Sequence, residues 1–227
     1  MLALKLGLSL VSTRQLGGWS PDDETSLVAW YQNKVGITDE EPGVSAWVDS
    51  SSNSYDMVQA TATEQPAYNV LTGALAFVSA DVTNLQTAGQ ITLPDDFTLG
   101  LRIKTSTTNG SFLADNTSSN EFFKYSSASR VLFKIAGSAS TALDLDSGTF
   151  GDDYIVITRV SGVLTLHKNG VAQTGTTPTV AGTSLIDVIG LRRTDLNGFD
   201  GDIKEIQIYS SSSADLTANI NDRLSTL

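Results

Sequence analysis

The chain has 227 residues, with 14 Lys+Arg against 25 Asp+Glu and a formal net charge of −11, and no run of Lys and Arg breaks the acidity. That balance speaks against a nucleic-acid groove or an anionic membrane patch as the partner, because both need concentrated positive charge. With no Cys and a single His, disulfides, thiolate metal sites and Cys nucleophiles are excluded and imidazole chemistry has little material.

A length of 227 residues fits one domain. It suffices to bury roughly 70% of the surface the unfolded chain exposes, so folding needs no covalent staples. No apolar run approaches the roughly 18 residues that cross a bilayer as a helix, and no membrane partner is expected.

The chain opens on strict alternation. Leu2, Leu4, Leu6, Leu8 and Leu10 put five apolar side chains on one face of an extended segment, with Ala3, Lys5, Gly7 and Ser9 on the other. Lys5 in the middle and the lack of a small-residue cleavage site argue against a secretory leader, so the mature chain is expected to begin at Met1. Gly17-Gly18 and Ser20-Pro21-Asp22-Asp23-Glu24 follow as a flexible, polar joint. Residues 1–24 therefore read as an arm with its linker and residues 25–227 as the domain. The arm is either the first strand of its own domain or a strand added to a neighbouring subunit's sheet edge. Trp19, set in the polar joint, is a candidate anchor on that partner.

Beyond the arm, short strands separated by turn residues are predicted at Leu27–Tyr31, Val44–Val48, Ala74–Val78, Phe97–Ile103, Ser111–Leu113, Glu121–Tyr125, Val131–Ile135, Tyr154–Val160, Val163–Lys168, Ser184–Leu191 and Asp202–Tyr209. Asn169-Gly170 provides the two positive-φ positions of a type I′ turn. Only two places read as helical. Asp215–Leu227 carries Leu216, Ile220, Leu224 and Leu227 on one stripe, with Ser213 or Asp215 as cap, and a weaker turn falls near Asp81–Leu85. The pattern predicts an all-β antiparallel two-sheet sandwich with an N-terminal extended arm and a short C-terminal helix.

Four blocks carry a family resemblance. Leu27-Val28-Ala29-Trp30-Tyr31 is followed by Val44-Ser45-Ala46-Trp47-Val48-Asp49-Ser50, and Gln65-Pro66-Ala67-Tyr68 precedes Gly73-Ala74-Leu75-Ala76-Phe77. Later come Thr158-Arg159-Val160 with Val163 to Gly170, and the close Gly201-Asp202-Ile203-Lys204-Glu205-Ile206-Gln207-Ile208-Tyr209 with its short helix. In this order they resemble laminin-G-like, concanavalin A-like lectin-glucanase jelly-roll domains, over about residues 26–227. The resemblance implies the jelly-roll fold and hardly bears on activity.

Trp30, Trp47, Phe77, Ile206 and Ile208 sit in alternating contexts and are expected in the core between the sheets. Trp30 and Tyr31 are also the candidate sugar-stacking residues. For catalysis, a glycosidase needs two carboxylates in set geometry, and the Glu-x-Asp-x-Glu strand that the resemblance would bring from retaining glucanases is missing. Asp144 and Asp146 have same-face spacing but read as one wet face of a strand, and His167 has no acidic or nucleophilic neighbour in sequence. No catalytic residue is assigned.

The resemblance implies Ca²⁺ as the candidate metal, with Asp195, Asn197, Asp200 and Asp202 as hard oxygen ligands. An EF-hand order is absent, and Lys204 stands where the family's last strand commonly has Asp. The same residues read otherwise as a solvated acidic turn. No other cofactor is expected. The two Asn sequons are chance features of a chain in which Ser and Thr make up roughly a quarter of the residues.

Arm and resemblance together lead to the first functional expectation. It is a non-catalytic virion structural protein, a bacteriophage capsid- or tail-surface decoration component held to other virion proteins by its N-terminal strand, in an oligomeric assembly. A carbohydrate-binding module recognising host surface glycan, on a particle or extracellular, is the alternative, and a glycoside hydrolase the third reading.

Overall fold

The computed structural model describes residues 18–116, 121–135, 139–192 and 198–227. The leucines at 2, 4, 6, 8 and 10, together with Asp195 and Asn197, lie outside them.

In chain order the strands are β1 (Leu27–Tyr31), β2 (Ile37–Glu40), β3 (Gly43–Trp47), β4 (Met57–Val58), β5 (Ala67–Asn69), β6 (Ala74–Phe77), β7 (Leu85–Leu93), β8 (Phe97–Thr105) and β9 (Gly110–Ala114). They continue as β10 (Phe122–Ser127), β11 (Arg130–Lys134), β12 (Thr141–Asp144), β13 (Asp152–Val160), β14 (Val163–Lys168), β15 (Val171–Ala172), β16 (Ser184–Ile189) and β17 (Gly201–Tyr209), and one helix, α1 (Ala214–Leu224), closes the chain.

Among the described residues the strands form two sheets, and every pairing is antiparallel. Sheet I runs β15-β14-β13-β8-β17-β6-β5, with β1 also paired to β17, and sheet II runs β12-β11-β10-β9-β16-β7-β4-β3-β2. The sandwich and its C-terminal helix are as the sequence predicts.

Alternation decides which face of each strand is dry. In β8, Phe97, Leu99, Leu101 and Ile103 point into the sandwich, and so Thr98, Gly100, Arg102 and Lys104 lie on the outer face of sheet I. In β13, Ile155 and Ile157 face inward while Val156 belongs to a separate apolar cluster on the outside. Trp47, Phe77, Ile206 and Ile208 belong to the core between the sheets, as expected.

Trp30 does not share that core. It is buried on the outer side of sheet I, where its Nε1 donates to Glu205 and the Arg223 guanidinium lies 4.8 Å from its ring centroid. The helix supplies a second roof there, which alternation along one strand does not reveal.

Asn169 and Gly170 have φ of 50° and 80° and join β14 to β15, as a type I′ turn requires, although β15 is only two residues long. Ser161 and Gly162, with φ of 50° and 82°, make the equivalent turn between β13 and β14. The helical turn expected near Asp81–Leu85 is instead a 3-10 turn at Ser79–Asp81, and Leu85 opens the nine-residue β7.

The sheets end on short or charged strands. Sheet I ends in β15 and the three-residue β5. Sheet II ends in β2, with Asp39 and Glu40 exposed, and in β12, where Asp144 meets Arg130 at 2.6 Å.

Candidate functional site

The outer face of sheet I is divided by α1. An 11-residue helix is marginal alone, so docking must hold it. Ser213 caps its first turn by accepting from the Leu216 N–H at 3.0 Å. Leu216, Ile220 and Leu224 are buried against Val156 and Tyr209, each worth about 1.5–3 kcal/mol of burial. Close approach depends on Gly100: a Cβ there would sit 2.5 Å from Ile220 Cγ2.

Beneath the helix lies a polar network. Glu205, Gln207 and Tyr209 are all fully buried. The Glu205 carboxylate accepts from Trp30 Nε1, Gln207 Nε2 and the Asn33 N–H, and from Arg223 Nε and Nη2 on α1. Tyr209 donates to Gln207 Oε1 at 2.7 Å, and burial pushes its hydroxyl well above the ordinary phenol range. A buried carboxylate needs this many donors to remain in place.

Among the described residues nothing covers the other half of the face. A cleft of about 220 Å³ opens there, lined among others by Asn69, Thr72, Arg102, Lys104, Asp152, Asp202 and Lys204. Strand register assembles it: Lys104 on β8 stands opposite Asp152 on β13 and Asp202 on β17. Arg102 Nη1 meets Asp152 at 2.7 Å without the alignment of a hydrogen bond, while Arg102 Nε donates to the Leu227 carbonyl oxygen. Lys104 and Asp202 are 3.7 Å apart and both well solvated, a pair worth less than about 1 kcal/mol.

Lys34, with its Nζ donating to the Leu71 carbonyl at 2.8 Å, stands beside the Thr72–Gly73 turn at the rim. Four of the chain's 14 Lys and Arg therefore gather at this end of the sheet. Positions 34, 102, 104 and 204 are far apart along the chain and meet only through antiparallel pairing.

On the far side of α1, a wider groove of about 470 Å³ runs between the helix and the outer face of β13 and β14, lined by Thr158, His167, Thr217 and Asn221 among others. Burial lowers the His167 imidazole from its ordinary value, which favours the neutral ring.

The predicted site residues distribute as follows. Trp30 and Tyr31 are 5% and 0% exposed, and the Tyr31 hydroxyl donates to the Tyr55 carbonyl at 2.7 Å, so neither ring presents a face on which a sugar can stack. The sugar-stacking assignment is corrected: both aromatics hold β1 in place. Trp19 is half-buried, packs against the Tyr209–Leu216 cluster of its own chain and donates to Glu24 Oε1 at 2.8 Å, so it anchors the joint to the domain.

Asp200 accepts from the Ser79 N–H at 2.6 Å, and Asp202 faces Lys104. Among the described residues no three His, Cys, Asp or Glu stand close enough to hold a metal ion.

Asp144 and Asp146 are structural. The Arg130 guanidinium holds the Asp144 carboxyl below the usual range. The Thr174 and Gly175 N–H groups do the same for Asp146, which pins the 174–175 turn. In the cleft, Asp152 and Asp202 sit two strand spacings apart, about 9–10 Å between backbones, with Lys104 on the strand between them.

No protein-family model matches the sequence, and no curated protein matches it. Solved structures do share the fold. A Trypanosoma rangeli sialidase in complex with 2,3-difluorosialic acid superposes with a TM-score of 0.55 at 12% identity, over 88% of this chain and 33% of that one. A botulinum neurotoxin type C structure, described as interacting with two ganglioside molecules, has a TM-score of 0.56 at 12% identity over 88% and 51%. The botulinum neurotoxin serotype D binding domain has a TM-score of 0.53 at 11% identity, again over 88% and 51%. The chain thus spans about a third of the sialidase and half of the toxin domains. At this identity the likeness is one of fold.

Proposed function

We propose that the chain is a non-catalytic glycan-binding sandwich and that the uncovered cleft on sheet I is its binding surface. The carrying observation is the convergence there of amide, hydroxyl, carboxylate and cationic groups on rigid strands, the few polar groups in a concavity that orient a ligand. The Lys104–Asp202 pair is weak enough to open for a hydroxyl group at little cost. Structures of the same fold that are described with sialic-acid and ganglioside ligands add support. The engagement of Asp152 and Asp202 by cations favours binding over hydrolysis, which needs one carboxyl as acid and another free as base or nucleophile.

The test is a panel of oligosaccharides titrated against the full chain. A subset binds, and Arg102→Ala weakens that binding roughly tenfold, the worth of one charge-assisted hydrogen bond. Thr165→Ala, on the strand beyond the helix, leaves it unchanged. Silence of the unaltered chain across the panel overturns the reading.

The second part of the proposal concerns attachment. The alternating leucines at 2–10 suit addition to another chain's sheet edge. Trp19 clips the following residues to the domain, so a strand captured elsewhere is tethered to the sandwich at a fixed point. This supports display on a larger particle such as a virion surface. Deleting residues 1–12 abolishes incorporation into that particle, and unchanged incorporation overturns the attachment.

A further inference from the structure

Lys204 stands out within the cleft. Strand β17 changes register against β8 between Ile203, opposite Ile103, and Glu205, opposite Arg102, so Lys204 is the extra residue of a β-bulge. A bulge turns two consecutive residues toward one side where regular pleating would alternate them. Here Ile203 is in the core, Glu205 goes under the helix, and Lys204 lines the open cleft.

Its neighbours among the cations are partly engaged: Arg102 with Asp152 and the Leu227 carbonyl, Lys104 with Asp202, and Lys34 with the Leu71 carbonyl. The Lys204 ammonium has no hydrogen-bond or ion-pair partner among the described residues, while its carbonyl oxygen accepts from Asn33 Nδ2 at 3.3 Å. A half-buried, unpaired cation lining a concavity raises the local potential for anions, even in a chain whose net charge is −11.

No aromatic ring lines the cleft, although ring stacking is the usual means of gripping a neutral sugar. Selectivity in this cleft must come from charge and hydrogen bonds.

We infer that the cleft selects sugars bearing an anionic substituent, a carboxylate or sulfate, and that Lys204 receives that group. This rests on the glycan-binding reading and specifies its ligand class. Arg102 and Asn69 contribute direction, because their planar groups fix hydrogen-bond geometry while a lysine acts as a point charge.

The experiment titrates the full chain with matched oligosaccharides that are neutral, carboxylated or sulfated, at low and moderate salt. The anionic members bind roughly tenfold or more tightly than the neutral one, and raising the salt narrows the gap. Lys204→Gln removes the preference, and Asp202→Asn, which deletes a competing carboxylate, enlarges it. Comparing carboxylated with sulfated members identifies the group. Equal binding of neutral and anionic members overturns the inference while leaving glycan binding intact, and binding of none overturns both. Were Lys204→Gln unable to fold, the Asp202→Asn arm and the salt dependence still decide.

Discussion

Arg223 on the C-terminal helix grips the fully buried carboxylate of Glu205 with two nitrogens, Nε to Oε1 at 2.5 Å and Nη2 to Oε2 at 2.9 Å. The pair ties the last helix to the strand that also carries Lys204. Removing one partner of a buried pair leaves the other charge stranded, so Arg223→Ala is expected to cost about 3–5 kcal/mol. Urea denaturation measures it. The double change Arg223→Ala with Glu205→Gln should recover part of the loss, since no buried carboxylate is then left without its cation.

Gly100 sets the height of the helix. A methyl group there meets Ile220 Cγ2, so Gly100→Ala must lift α1 or force a rotamer change, at a cost of about 1–3 kcal/mol. Pairing it with Ile220→Val should be less damaging than the sum of the single changes. Melting curves of the three variants check this.

His167 is the chain's one histidine. Burial keeps its folded-state value below the ordinary one near 6.5. The unfolded chain therefore binds a proton more readily than the folded chain as pH falls below about 6.5, and stability drops through that window. His167→Gln should flatten the stability profile below about pH 6.5 while leaving it unchanged above. Denaturation midpoints across that range decide the matter.

Treatment with EDTA is expected to leave the melting temperature unchanged, because a native-state metal would raise it. The Asp200 carboxylate accepts from the Ser79 N–H, and Asp202 lies 3.7 Å from the Lys104 ammonium, a charge that repels a second cation. A drop in melting temperature on chelation would restore Ca²⁺ as a ligand of the candidate set Asp195, Asn197, Asp200 and Asp202.

Much of the fold is legible because strands such as Phe97–Thr105 and Arg130–Lys134 alternate cleanly. The helix is legible from Leu216, Ile220 and Leu224 and the Ser213 cap. Strand β7 is not: between Leu85 and Ile91 its residues are Gln, Thr, Ala, Gly and Gln, only half-buried or exposed, so no periodicity marks it. The three-residue β5 and two-residue β4 are too short to show a period at all. Trp30 is misplaced by sequence reasoning because its partners, Glu205 and Arg223, arrive from the other end of the chain. The cleft is hidden for the same reason. The signal nearest to it is Lys204, an ammonium interrupting a strand whose resemblance leads one to expect a carboxylate.

The margins of the two sheets bear on how copies behave when crowded. Free backbone amides at a sheet margin invite intermolecular zipping, which proteins resist with brief or charged final strands. Here β15 and β5 offer only two and three residues, and Asp39 and Glu40 place negative charge along β2. Such margins oppose strand-to-strand pairing between crowded copies of the chain.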